Sequence, residues 1–440
     1  MTYENIKTTI LIILVLISVL LSWSLWNYQP DYDRMKNSNT VQNVTLGGKK
    51  VVAEIIKPDQ VFLHLNQRHY GAVDKSEIDR ILSEMKLWSF FEIKDVTNTV
   101  TDFLSFVHGD GRMEMVYPGK VPVDLYRNVL QIKDRNPLNF QFDRIVVDFH
   151  SVQNDNGHVY FISYEDQKVY EANVHKSYIK SIETEFQDLI KTSTYQTYFS
   201  YKASNERMLF LPEQKTPMLE YRYLTNLVVT SKLKKVLFTD PNLIQRDNLS
   251  TVEEYTDGLS LLRINNDEHL FTFINLAEEQ ELRGTSKSLI KNSIDFINQH
   301  GGWTDNNYRY VHIDETDKEI LFRLYDQGYP IFSKDQSISE IRLNWGTNEV
   351  NRYIRSNFTL SFQTTEPTKV YLESGQEALN YIQNRTQYNP ELLQNVVLGY
   401  RLITDVDSTV VLEPAWCFQY ANHWYFVSTK SEGGDKDGLE

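Results

Sequence analysis

Residues Thr8–Trp26 read TTILIILVLISVLLSWSLW, an uncharged run of about 19 residues. As a helix rising about 1.5 Å per residue, it nearly spans a hydrocarbon core of about 30 Å. A backbone in lipid must satisfy its own hydrogen bonds, so a lone span of this kind is helical. No later stretch matches it. The expected organisation is a short cytoplasmic stub and single transmembrane anchor at 1–29, followed by a body tied to the membrane through it.

A cleaved signal peptide is the competing reading. It calls for a shorter apolar core and a small-x-small cleavage site. Here the run closes in Ser22-Trp23-Ser24-Leu25-Trp26, and Trp23, Trp26 and Tyr28 suit an interfacial aromatic belt. An uncleaved anchor is therefore expected. Charge does not orient it: Lys7 precedes the span, and Arg34 and Lys36 follow it. Long domains translocate largely regardless of charge, and a short polar head most often leaves the body outside. The expected topology is a cytoplasmic N-terminus with an extracytoplasmic ectodomain. Within the span, Ser18 and Ser22 lie four apart on one helical face, a small-x-x-x-small pattern that admits a second helix. The same hydroxyls can instead bond back to their own helix carbonyls.

The formal charge of −14 argues against nucleic-acid binding, which needs a basic face. It also opposes adsorption to anionic lipid beyond the anchor. The 27 Tyr and 22 Phe point to sheet-rich packing. A single cysteine, Cys417, rules out an internal disulfide. Scarce cysteine in an extracytoplasmic body fits a Gram-positive bacterium better than a secreted eukaryotic protein.

Past the anchor the pattern predicts an α+β fold in three units, 30–140, 141–282 and 283–430, with a Gly-rich acidic tail at 431–440 expected to be disordered. In the first unit Val61–Leu65 reads as a strand. Ile78, Ile81, Leu82 and Met85 recur at helical spacing after the capping-box candidate Asp74 and Glu77. In the second, His158–Ser163 and Lys168–Asn173 form a hairpin, then Ile179, Ile182, Phe186, Leu189 and Ile190 make an amphipathic stripe. In the third, Leu289, Ile290, Ile294, Phe296 and Ile297 line a helix ended by Gly301-Gly302. Ser374 and Glu377 cap another, and strands follow to Ser428. The second and third units share one pattern of strand pairs, an amphipathic helix and further strands.

No catalytic, cofactor or metal motif emerges. The ten histidines are scattered, and His64 and His69, five apart, suit neither one face of a helix nor one face of a strand. Cys-x-x-Cys, His-Glu-x-x-His, EF-hand and Gly-x-Ser-x-Gly patterns are absent. Cys417, flanked by Trp416 and Phe418, has no activating partner in view and reads as a small core hydrophobe. The last strands concentrate Trp416, Phe418, Tyr420 and Trp424. Alternation places the first three on one strand face, either a partner-binding surface or simply core.

Several strings in order carry a family resemblance: Asp240-Pro241 after Leu237-Phe238, Tyr255-Thr256-Asp257-Gly258, His300-Gly301-Gly302-Trp303-Thr304 and Gly328-Tyr329-Pro330. With the anchor and the length of the body, the chain resembles the YycH family of Gram-positive regulatory proteins. The resemblance implies a non-enzymatic accessory of the WalK/WalR two-component system that controls cell-wall metabolism. It implies a place beside the sensor kinase in the membrane, a sister protein YycI as partner, and a three-domain ectodomain. Two other classes compete: an extracytoplasmic ligand-binding or adhesin-like protein, and a cell-wall hydrolase.

Overall fold

The computed structural model describes residues 17–18, 45–72, 75–134, 138–152, 155–191, 195–204, 206–249, 252–278, 285–334, 338–385, 387–405, 408–427 and 438–439. The chain divides into two units, Met1–Val44 and Thr45–Glu440. In the first, only Ile17 and Ser18 are described, and both are helical. The rest of the expected anchor, Ser22 included, lies outside the described residues, as does Asp74. Among the described residues no helix is long and apolar enough to cross a membrane.

The second unit is mixed α/β and rich in strands. Its first sheet contains β1 (Gln60–Leu65), β2 (Arg68–Ala72), β3 (Ser89–Asp95), β4 (Arg112–Pro122) and β5 (Gln131–Ile132). It continues with β6 (Gln141–Asp148), β7 (Asn156–Ser163), β8 (Lys168–His175), β9 (Gln196–Lys202) and β10 (Met208–Pro212). Their spatial order is β10-β9-β2-β1-β4-β6-β7-β8-β3-β5. Only the β3–β5 pair is parallel among them.

Side chains alternate across these strands, so each face has its own core. On one face Leu63, Met113, Met115, Ile145, Val147 and Phe161 meet two helices. Helix Lys75–Met85 buries Ile78, Ile81, Leu82 and Met85, the stripe read from the sequence. Helix Lys176–Lys191 buries Ile179, Ile182 and Phe186. Each fully buried aliphatic side chain contributes about 1.5–3 kcal/mol. On the other face Val146, Tyr160 and Ile162 pack under the short helix Phe103–Val107. That helix starts where Asp102 accepts a hydrogen bond from the Ser105 N–H at 3.1 Å.

The second sheet runs, in spatial order, Gln245–Leu249, Val252–Thr256, Ser260–Asn265, Leu270–Asn275, Val350–Ser356, Glu340–Trp345, Glu319–Asp326, Tyr329–Ser333, Leu393–Thr404, Thr409–Tyr420, Thr216–Leu227 and Phe358–Gln363. Helix Ser286–Gln299 buries Leu289, Ile290, Ile294 and Ile297. It ends where Gly301 and Gly302 take φ of 101° and 83°, a region glycine enters without steric cost. Residues Leu46–Gly48 strap across this end: Leu46 N–H donates to Gly301 O at 2.7 Å, and Trp303 N–H to Gly48 O at 2.8 Å. Helix Gly375–Gln383 begins with the expected Ser374–Glu377 capping box.

Strand pairing crosses both boundaries expected from the sequence. Across residue 140, β4 pairs with β6, Met115 opposite Ile145. Across residue 282, Phe273 lies opposite Tyr353. The sheets part instead between Pro212 and Thr216, because long-range ladders, invisible to local periodicity, decide what belongs together. At the other end, Gly438–Leu439 pairs with Trp424 and Tyr425, and the rest of the tail lies outside the described residues.

Candidate functional site

The aromatic residues of the last strands divide into two kinds. Trp416 and Phe418 are buried in the main core, and the Trp416 indole N–H donates to Glu373 O at 2.9 Å. They are therefore core and not a binding surface, which corrects the expectation for these two. The opposite face of the same strand is covered as well: Cys417 packs with Phe332, Val397 and Phe426. Alternation alone could not show that both faces are occupied. Burial raises the Cys417 thiol pKa far above its ordinary value. Tyr420 and Trp424 remain half-buried. Of the two serines proposed for helix contact, Ser18 is exposed on its helical segment.

Trp424 borders a wide cleft of about 1110 Å³ lined by residues of both sheets. In its lining Arg323 donates to Glu340 Oε1 at 2.6 and 3.2 Å. Arg342 holds the other Glu340 oxygen at 2.9 Å. Burial alone would raise the Glu340 pKa, but the two guanidiniums outweigh it and hold the carboxyl below its ordinary value. The Arg323 guanidinium lies 4.4 Å from the Phe332 ring centre and 5.6 Å from that of Trp424, an attractive cation–π arrangement. Across the cleft stand Asp59, Lys120, Asp143, Glu165 and Arg207. Burial pushes Asp59 up to about 6, although Arg309 opposes the shift. Burial pushes Asp143 up to about 7. Perturbed carboxyls in a cleft mark a functional-site candidate. The lining mixes both charges with aromatic rings and contains no Cys, so it suits recognition of a polar partner and offers no thiol nucleophile.

A second cluster lies on the sheet face away from the two long helices. β1 and β2 meet through the turn Asn66–Gln67, whose φ values are 54° and 59°. This turn sets His64 opposite His69, with their Nδ1 atoms 2.8 Å apart. Glu114, on β4, places Oε2 3.3 Å from His64 Nε2 and 2.8 Å from His108 Nδ1. Its Oε1 is bound by Arg144. The His108 Nε2 atom lies 2.9 Å from Tyr164 OH, which also accepts the Met208 N–H at 3.0 Å. Burial, then Arg144 and Arg112, lower His64 to about 3. Burial first, then His64 and His108, lower His69 to about 4. Burial likewise drops His108 well below its ordinary value. All three rings are therefore neutral near pH 7. Among the described residues, His64, His108 and Glu114 are the group of His, Cys, Asp or Glu spaced to hold a metal ion. Sequence reading passed over them. The available signal was the two-residue hairpin, which makes positions five apart direct cross-strand neighbours.

The family profiles of the YycH protein N-terminal domain and C-terminal domain match residues 4–191 and 206–433. The chain is 24% identical over 438 residues to the "Two-component system WalR/WalK regulatory protein YycH" of Bacillus subtilis (strain 168), covering 95% of each chain. The crystal structure of YycH from Bacillus subtilis superposes with a TM-score of 0.75 at 21% identity, over 88% of this chain and 99% of that one. At that identity the superposition speaks to the fold. The two profiles together take in nearly the whole sequence. This chain belongs to the YycH protein family.

Proposed function

We propose that this chain is a non-catalytic accessory regulator of a WalK/WalR-type two-component system. The observation that carries the reading is the family match across both halves of the chain, joined to the regulatory role of its Bacillus subtilis relative. The uncharged run Thr8–Trp26 supports a single membrane anchor with the N-terminus cytoplasmic and the body outside. In this reading the anchor meets the sensor kinase's membrane helices through the Ser18 and Ser22 face. The body meets the kinase or a YycI-like sister protein through Tyr420 and through Trp424 at the cleft rim. Cys417, buried and with a raised pKa, supports the non-enzymatic reading. Such a protein shifts a kinase by binding its two signalling states with different affinity.

The test is co-purification from membranes. The intact chain is expected to retain the kinase. A chain with Thr8–Trp26 replaced by an unrelated anchor, or carrying Ser18→Leu with Ser22→Leu, is expected to lose part of it. Equal retention in all three moves the contact off the helix. No retention by the intact chain overturns the reading.

The cleft favours a second reading, an extracytoplasmic ligand-binding protein. That reading expects function to survive any anchor that keeps the body at the membrane.

A further inference from the structure

We propose that His64, His108 and Glu114 bind one divalent transition-metal ion of the zinc type. Two imidazole nitrogens and a carboxylate oxygen converge: Glu114 Oε2 lies 2.8 Å from His108 Nδ1 and 3.3 Å from His64 Nε2. Donors bound to zinc at about 2.0–2.1 Å in tetrahedral geometry stand roughly 3.3 Å apart. The Glu114–His64 pair already has that spacing, the Glu114–His108 pair reaches it by opening about half an ångström, and the two histidine nitrogens lie within 4.8 Å of one another.

The atoms facing away from the centre make the stronger case. Each candidate ligand has its outer atom held by a different neighbour. His69 lies 2.8 Å from His64 Nδ1, Tyr164 2.9 Å from His108 Nε2, and Arg144 takes Glu114 Oε1. Outer partners of this kind fix ring orientation and tautomer at metal centres. A buried histidine without a metal also needs partners at its nitrogens; what is particular here is that one nitrogen of each of two rings faces a single carboxylate oxygen. The scaffold is stiff: His64 and Glu114 sit on adjacent central strands, and the Phe210 ring lies 5.0 Å from His64 and 4.9 Å from His108. His64, His108 and Glu114 are all buried.

The donor set selects the ion. Imidazole nitrogens suit zinc and its neighbours, whereas calcium and magnesium require oxygen ligands. Three protein ligands leave a fourth position for water or a partner's donor atom. The Arg144 guanidinium beside Glu114 repels a cation, so affinity is moderate. The ion would tie β1, β4 and the turn after helix Phe103–Val107 into one block, independently of any kinase contact.

The experiment uses the full-length chain without a polyhistidine tag, loaded with Zn²⁺ and desalted, with Zn²⁺ then exchanged for Co²⁺. About one equivalent of zinc is expected, with visible Co²⁺ absorption of nitrogen–oxygen ligation. His108→Gln and Glu114→Gln are expected to lose both signals. His69→Gln touches only an outer nitrogen, so it should keep the site and weaken it by roughly 10–100-fold. If His108→Gln does not fold, the His69→Gln affinity and the wild-type Co²⁺ spectrum still decide. No zinc above the buffer blank overturns the proposal. So does wild-type zinc content in a folded His108→Gln chain, or unchanged affinity in His69→Gln.

Discussion

Trp416 and Cys417 are chain neighbours that leave one strand on opposite faces, and both are buried, in separate clusters. A thiol in that position reacts only when the strand opens, because the thiolate is the reactive form and burial disfavours it. The native chain is expected to resist a disulfide-exchange reagent at pH 8 and to react fully in denaturant. Fast labelling of the native chain would contradict this packing.

Trp416 and Trp424 should separate cleanly on truncation. Trp416→Ala empties a core site, and changes of that type cost about 3–5 kcal/mol. Trp424 is half-buried and stacks over Arg323. Loss of that stacking removes about 0.5–1 kcal/mol, with a smaller packing loss. Denaturant midpoints measure both. Equal losses would mean that Trp424 is as much core as Trp416.

Gly302 has a φ of 83°, and a Cβ there would sit 2.5 Å from Gly47 O. Gly258 has a φ of 90° with open space around it. Gly258→Ala therefore incurs backbone strain alone, about 1–2 kcal/mol. Gly302→Ala adds a clash that displaces the Leu46–Gly48 strap. It should destabilise more and speed hydrogen exchange at the Trp303 amide. Matching effects at the two glycines would remove the strap from the account.

Asp143 gives the body a pH dependence of definite sign. Its folded-state pKa, about 7, lies above the ordinary 3.8 because it is buried. The folded chain thus holds the proton more tightly. Its stabilising contribution is full below about 3.8 and is lost as pH rises toward about 7. Asp143→Asn keeps an Oδ1 acceptor for the Tyr164 N–H, 2.9 Å away in the native chain. The variant should lose part of this slope and be the more stable chain at pH 8. Melting temperatures from pH 5 to 8 test it. Asp59 shifts the same way, to about 6, so the readout is the difference between variant and wild type. An unchanged difference across that range would contradict the assignment.

Features set by neighbours in the chain were legible beforehand. Ile78, Ile81, Leu82 and Met85 declare a helix face because a helix repeats every 3.6 residues. Ser374 with Glu377 and Gly301-Gly302 mark helix ends because only nearby groups satisfy a terminus. The strings that mark the family are turns of the same local kind. Strand pairing across residues 140 and 282 was not legible, because periodicity in one segment says nothing about which strand it pairs with.

His64 and Glu114 stand 50 residues apart and meet only because β1 and β4 pair. The cleft draws its lining from both sheets. Trp416 and Phe418 look, in sequence, like any half-exposed strand. The sequence by itself determined the uncharged N-terminal run, the helix stripes, the caps and the family, all of them local patterns. Only the tertiary structure decided which residues share a buried site and which aromatic rings stay at a surface, because burial and ligand geometry depend on contacts between distant segments.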